Sequence, residues 1–259
     1  MEKFNPKKCS IQETYHMMIS SISPRPIAFV GSIDGKGNHN LAPFSFFNGF
    51  GANPPIIGFS PAISGRTGLP KDTLLNIAET KEFTISIVTK ELVEQVSLSS
   101  CEYDSNIDEF SKTGLNKFKS ELINPPGVKE SPVIMECKLD RIIDWGNKPA
   151  SGNLILGEIL LFHIDSDVLD EKNKIDPKKI NHVGRGGQNW YIDSKKSMFE
   201  IIKPKGVGIG FDNLPYELLN SSLTGNELAK LASVHTLPDI ITNSSSSNKL
   251  SYTINEVSK

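Results

Sequence analysis

The stretch Asn40-Leu41-Ala42-Pro43-Phe44-Ser45-Phe46-Phe47-Asn48 decides how this chain reads. Small polar residues alternate in it with aromatics, a pattern that predicts an extended strand carrying hydrogen-bonding groups beside flat apolar faces. Such a surface suits a planar tricyclic ring. Further along, Pro70-Lys71-Asp72-Thr73-Leu74-Leu75-Asn76-Ile77 predicts a helix start capped by Asp72 or Thr73. Free N–H groups at a helix start, with Lys71 beside them, favour an anion such as a phosphate.

Working outward, Ile27–Ile33 is rich in β-formers, and Asp34-Gly35-Lys36-Gly37-Asn38 supplies turn residues, which together predict a hairpin into Asn40–Asn48. Pro55–Ser60 continues the sheet. Thr73–Thr80 predicts a helix with Leu74, Ile77 and Ala78 on one face, and Glu82–Val88 alternates as a strand through Phe83, Ile85 and Ile87. Lys90–Leu98 and Ser105–Lys112 predict two more helices, with Gly114 at the stop of the second. Two long strands, Val133–Asp144 and Leu154–Ile164, flank the loop Trp145–Asn153. Many strands, few helices and no βαβ alternation predict a mainly β, α+β chain: a β-barrel with helical insertions.

Several blocks occur in one order: Ser23-Pro24-Arg25-Pro26-Ile27-Ala28-Phe29-Val30, then Asn40–Asn48, Asn53-Pro54-Pro55 and Lys71-Asp72-Thr73. Ser131-Pro132-Val133, Gly157-Glu158-Ile159 and Gly184-Arg185-Gly186-Gly187 with Tyr191 follow. In these the chain resembles the flavin reductase-like, FMN-binding split β-barrel family from about residue 10 to 200. The resemblance implies a homodimer holding FMN non-covalently near the subunit interface, with NADH or NADPH passing hydride to the flavin. It leaves an alternative, an FMN-binding redox carrier or interaction dimer with no nicotinamide turnover of its own.

By the same resemblance, Asn40, Ala42, Ser45, Phe46, Phe47 and Asn48 fall to the isoalloxazine and ribityl region, though alternation alone leaves open which face each occupies. Arg25, Lys71 and Thr73 fall to the phosphate, because a guanidinium binds it bidentately, an ammonium adds a point charge and Thr73 sits at a helix start. Arg66 competes for that role. The Asp72 carboxylate would repel phosphate, so capping the helix or orienting Lys71 suits it better. Asn76 is placed to reach the ribityl chain, and Arg185, Trp190 and Tyr191 follow flexible glycines from which they can close over cofactor or substrate. No catalytic side chain is expected, because the flavin carries the chemistry.

Composition is consistent with this and excludes other classes. With 259 residues, 37% hydrophobic and 22% charged, the chain can bury a core, and a net charge of −2 gives no electrostatic reason to expect nucleic acid. Cys9, Cys101 and Cys137 are odd in number and widely spaced, and the five histidines are never four apart, so neither a disulfide framework nor a metal is expected. No run of eighteen apolar residues and no signal-like N-terminus occur, which predicts no membrane span and a cytoplasmic protein.

The expected domains are residues 1–200, the flavin-binding barrel, and 201–259, an extension beginning around Lys203-Pro204-Lys205-Gly206. Val207, Ile209, Phe211, Leu214, Leu218, Leu219, Leu228 and Leu231 require burial, so the extension is expected to pack on the barrel, either over the flavin pocket or dimer seam, where it narrows substrate access, or as a stabilising flap distant from them. Within it, Gly206-Val207-Gly208-Ile209-Gly210 lacks the dinucleotide-binding spacing, Thr224–Leu231 predicts a helix with Glu227 at capping-box distance, and Ser244–Ser247 predicts a polar loop.

Overall fold

The structure is a computed structural model that describes residues 1–204 and 206–237; the loop expected at Ser244–Ser247 lies outside these. Among the described residues, eleven strands run β1 (Ala28–Ile33), β2 (His39–Phe44), β3 (Phe47–Ala52), β4 (Pro55–Phe59), β5 (Glu82–Ile87), β6 (Lys117–Phe118), β7 (Gly127–Val128), β8 (Val133–Asp144), β9 (Asn153–Ile164), β10 (Val183–Arg185) and β11 (Tyr191–Asp193). Seven form one antiparallel sheet in the order β2-β1-β5-β8-β9-β4-β3, while β6-β7 and β10-β11 are small separate hairpins.

The segment Asn40–Asn48 is therefore not one strand. It breaks at Ser45-Phe46 into β2 and β3, and these lie at opposite edges of the sheet. Laid flat, seven strands would separate the edges by six spacings of about 4.8 Å, roughly 29 Å. Two linking residues hold the end of β2 and the start of β3 no more than about 11 Å apart. The sheet must curl until its edges approach, and no β2–β3 ladder joins them among the described residues. The result is a barrel with one seam, split at Ser45-Phe46.

Strand alternation sorts the side chains across that wall. Ala28, Val30, Ile57, Phe59, Phe83, Ile85, Met135 and Ile155 fill the interior, with Phe44 and Phe47 packed against them from either side of the seam. The Phe44 and Phe59 rings lie 5.2 Å apart, joining β2 to β4 across the split. Helix α2 (Asp72–Thr80) contributes Leu74 and Ile77 to this core, while Ala78, expected on the same face, is exposed. Phe29 and Leu41 point the other way, into a second core formed with Val96 of α3 (Val93–Leu98), Phe110 of α4 (Glu109–Thr113) and Val128. With both faces covered, β1 is buried along nearly its whole length.

Local signals account for most boundaries. The β1–β2 hairpin pairs Ser32 with Asn40 and Ile33 with His39, and Gly114 ends α4 at φ 70°, a conformation only glycine adopts without strain. That helix starts at Glu109 rather than Ser105, because the Asp108 side chain caps the Phe110 N–H at 3.0 Å. Lys90–Leu98 divides into a 3-10 turn, Lys90–Leu92, followed by α3. Helix α1 (Ile11–Ser21), not anticipated from the apolar pattern, starts with a complete capping box between Ser10 and Glu13.

The described residues after Met198 form a second compact unit. Its helix Gly225–Ala232 carries the expected Thr224–Glu227 capping box, and Leu214, Leu218, Leu228 and Ala232 bury one another with Ile209, Leu223 and Leu231 around them. The burial required by these residues is thus met within the extension. Val207, Phe211 and Leu219, also expected to be buried, are exposed.

A buried carboxylate ties β8 to the chain that crosses it. Glu136, fully buried, accepts the N–H groups of Glu121 and Leu122 on its two oxygens at 2.7 Å each, and His163 Nε2 lies 2.7 Å from one of them. Burial alone would raise its pKa, yet the backbone donors and His163 together hold it below the ordinary value. The stabilisation is therefore complete above the free carboxyl pKa of about 4.3 and lost as pH falls through the lowered folded value. Glu136→Gln places an amide donor against a backbone donor and should cost about 1–3 kcal/mol in urea unfolding at pH 7. The gap to wild type should narrow on acidification toward pH 3; a gap that is constant with pH contradicts an ionised buried Glu136.

Candidate functional site

The predicted residues gather in three groups around the seam. The first is a buried polar cluster at the N-terminal end of α2. Asn40 donates from Nδ2 to the Thr73 hydroxyl at 2.8 Å and to the Ser32 hydroxyl at 3.2 Å, and Asn76 also donates to Ser32 at 3.2 Å. All four side chains are buried, so each bond replaces one otherwise lost to water. The sequence reading singled out Asn40, Thr73 and Asn76 but missed Ser32. The hairpin register, which sets Ser32 opposite Asn40, was the signal that could have found it.

The helix start itself differs from expectation. Lys71 is the N-cap residue and makes no side-chain capping bond, so neither Asp72 nor Thr73 caps α2. The Thr73 hydroxyl is engaged with Asn40 instead. The Leu74 and Leu75 N–H groups bond back to the Lys71 carbonyl, while exposed Lys71 stands beside the uncapped first turn. A helix start of this kind presents positive potential to an anion. Arg66, the competing candidate, is paired with Glu102 at 2.7 Å on an exposed loop.

The second group is the seam. Ala42, Ser45, Phe46 and Phe47 are half-buried and Asn48 is exposed. Cross-strand register settles the faces: Phe47, opposite Phe59, points into the barrel, whereas Asn48, opposite Gly58, points out. The open edge of β2 is protected as well. The Leu41 N–H is capped at 2.9 Å by the buried Glu109 carboxylate, and Pro43 has no N–H to offer. Burial, reinforced by Asp108 and Asp72 nearby, raises the Glu109 pKa against the pull of the Leu41 N–H. Tyr15 of α1 meets Phe46 edge-on with ring centroids 6.5 Å apart.

The third group is the β10–β11 hairpin, fastened to the seam by Arg25. Only 4% exposed, Arg25 donates to the carbonyls of Ile19 and Ile22 at the end of α1 and to the Gly186 carbonyl at 2.8 Å, with the Ser45 hydroxyl 3.4 Å from Nε. Its backbone also pairs with that of Arg185. These bonds occupy the guanidinium, which departs from the expected phosphate contact: Arg25 here clamps three segments together. Arg185 stacks on Tyr191 at 4.5 Å and donates to the Gln188 carbonyl at 2.8 Å, and Trp190 stands exposed at the hairpin tip.

A larger groove of about 440 Å³ lies elsewhere, lined by Lys90, Glu91, Asn181, Asp193, Lys195 and Lys196. It has no aromatic wall, and its Lys90 is committed to Asp193 at 2.7 Å. A flat ring finds no complementary face there, whereas the seam joins aromatic surface to an uncapped helix start. Among the described residues no cluster of His, Cys, Asp and Glu is arranged to hold a metal, and no helix is long and apolar enough to cross a membrane.

The flavin reductase-like domain family matches residues 20–182, a span that contains the seam, the polar cluster and the start of α2. Nitrilotriacetate monooxygenase component B of Bacillus cereus is 31% identical to this chain and superposes with a TM-score of 0.71, covering 78% of this chain and 98% of its own. The 2-nitrobenzoate 2-nitroreductase NbaA of Pseudomonas fluorescens is 27% identical with a TM-score of 0.69, over 78% of this chain and 96% of its own. A protein of Shewanella frigidimarina, described as a flavin reductase with a split barrel domain, is 25% identical with a TM-score of 0.65, over 83% of this chain and 100% of its own. Sheet order, seam and these likenesses agree, and the chain belongs to the flavin reductase-like family of split-barrel proteins.

Proposed function

We propose that this protein is an FMN-dependent oxidoreductase that takes hydride from NADH or NADPH. The observation that carries this reading is the Asn40–Thr73 hydrogen bond, because it fixes the uncapped start of α2 to the strand that leads into the seam. From Asn40 to Ser45 the chain runs five residues, about 17 Å at 3.3 Å each. That path connects an anion site at one end with flat aromatic faces at the other, a layout that fits a ring, a ribityl chain and one phosphate. A second phosphate and an adenosine would need further cationic and aromatic groups beyond Lys71, which favours FMN over FAD.

In this reading Lys71 and the first-turn N–H groups of α2 hold the phosphate, with Thr73 and Asn40 orienting that turn. Asn76 and Ala42 line the ribityl path, and Ser45, Phe46, Phe47 and Asn48 receive the ring, with Arg25 holding the Ser45 turn in place. Arg185, Tyr191 and Trp190 border the site from the hairpin. Bound there, a flavin would supply the redox chemistry, the uptake of hydride from a nicotinamide nucleotide. The chain's own contribution is positioning and exclusion of water, so no side-chain acid or nucleophile is assigned.

We further propose that two copies pair and complete one another's flavin sites. Toward the end of β9, Leu160, Phe162 and Ile164 are exposed, an apolar strip that a second copy would cover. The free, unpaired state of Cys9, Cys101 and Cys137 suits the reducing cytoplasm. The extension beyond residue 198 is an accessory unit with its own core.

Anaerobic titration tests the central reading. The protein should bind FMN, and its flavin absorbance should fall on adding NADH or NADPH. Bound flavin that neither nucleotide bleaches makes the protein an FMN carrier, and failure to bind FMN removes the flavin reading. Lys71→Ala should weaken FMN by about 1–3 kcal/mol without loss of stability, since Lys71 is exposed and its side chain makes no capping bond to the helix. Thr73→Val should lower affinity and stability together, because it also breaks the buried cluster. Light scattering should give twice the chain mass; a monomer that binds FMN tightly contradicts the shared site.

A further inference from the structure

The lysine groove that offers no face to a flat ring is suited instead to a small anion. It lies where the chain enters and leaves the β10–β11 hairpin. Asn181 precedes β10, Asp193 ends β11, the helical turn Ser194–Ser197 carries Lys195 and Lys196, and Lys90 and Glu91 reach the groove from the 3-10 turn after β5. None of these six residues belongs to the set assigned to the flavin. Backbone pairing fixes the walls: Thr89 bridges His182, the Lys90 N–H donates to the Asn181 carbonyl at 3.2 Å, and the Ser194 N–H donates to the His182 carbonyl at 3.1 Å.

Charge in the groove does not balance. Three ammonium groups face two carboxylates, and both carboxylates are already engaged. Asp193 holds Lys90 at 2.7 Å, which raises the Lys90 pKa and lowers that of Asp193, and Glu91 accepts from the Asn181 amide at 2.5 Å. Lys195 and Lys196 are exposed and form no ion pair among the described residues. Two adjacent ammonium groups repel each other, and a phosphomonoester, with close to two negative charges at neutral pH, satisfies both where one carboxylate satisfies a single one.

Position selects the molecule that brings such a group. Measured along β1, Ser32 lies opposite Asn40, level with the start of α2, and Ala28 lies opposite Phe44, level with the seam. Ala28 also pairs with Ile87 of β5, from which three extended residues, about 10 Å, lead on to Lys90. The groove and the start of α2 therefore stand at opposite ends of this axis, with the seam between them. A flavin whose phosphate sits at α2 leaves the groove end for the tail of a second nucleotide, and repulsion between the phosphates favours that direction.

We propose that this groove binds the adenosine 2′-phosphate of NADPH through Lys195 and Lys196, and so selects NADPH over NADH. The proposal rests on the flavin reading for the nucleotide's role but not for the anion site. In NADPH two riboses and a pyrophosphate separate the nicotinamide from the adenosine 2′-phosphate, so one end can meet the flavin ring while the other sits in the groove.

Calorimetric titration with adenosine 2′,5′-bisphosphate and with adenosine 5′-monophosphate tests it, on the FMN-loaded protein and again without FMN. The bisphosphate should bind more tightly, and added salt should shrink the difference because the lysines are exposed. Lys195→Ala and Lys196→Ala should each weaken the bisphosphate roughly three- to tenfold and leave FMN affinity unchanged. Lys36→Ala, which removes the same charge from the β1–β2 turn, should leave the bisphosphate affinity unchanged. Equal affinity for the two nucleotides, or equal effects of the three variants, overturns the proposal. Bisphosphate that expels FMN occupies the start of α2, which also overturns it while the flavin reading stands. In the loaded protein NADPH should bleach the flavin at lower concentration than NADH, and half-bleaching at one concentration for both contradicts the selection. A protein that takes no FMN removes the flavin reading by itself, and the titration without FMN still decides the phosphate site.

Discussion

A two-residue tether, Ser45-Phe46, joins strands at opposite edges of a seven-stranded sheet, and most of the architecture follows from it. The tether brings edges that would stand roughly 29 Å apart to within about 11 Å, so curling is obligatory rather than a matter of twist alone. Curling in turn defines an inside, where Phe44 and Phe47 meet the same core from either side of the split. It also leaves a seam in which backbone and aromatic groups stand unpaired with a neighbouring strand. A closed barrel would have consumed them.

The seam would be loose without the groups that brace it. Arg25 buries a charge among neutral carbonyls, which is costly unless every donor is met. Its partners at Ile19, Ile22, Gly186 and Ser45 draw α1, the seam and the β10–β11 hairpin to one point. On the other side the Ser32–Asn40–Thr73–Asn76 cluster fixes α2 to the hairpin, and Glu109 closes the free edge of β2. Function in this account lies in that bracing. In the proposed reading a flavin would bring its own chemistry, and the polypeptide would supply two rigid ends for a long cofactor.

Sequence reading reached what is local. The Asp34–Asn38 turn predicted the β1–β2 hairpin, Gly114 stopped α4 where it should, and Thr224 with Glu227 marked the helix of the extension, each because a turn or cap is decided by neighbours in the chain. The same kind of signal at Ser10 and Glu13 announced α1, but exposed Ile11, Tyr15 and Met18 obscured its apolar face. The break at Ser45-Phe46 was not legible, since the alternation of aromatics runs through it and only the sheet order shows two strands. Arg25 and Arg66 mark the same boundary for the site. A basic residue can be recognised in sequence, but whether it meets carbonyls, a glutamate or open solvent depends on contacts from as far away as Gly186.

The central claim, that the seam and the start of α2 together form the flavin site, is tested most directly by hydrogen exchange with and without FMN. The account predicts increased protection in two separated stretches, Ser45–Asn48 with the following turn of β3 and Lys71–Asn76, with little change at Lys90, Asn181 and Lys195–Lys196. Protection confined to the groove at Lys90 and Lys195, or FMN binding that leaves both seam stretches unchanged, would contradict it.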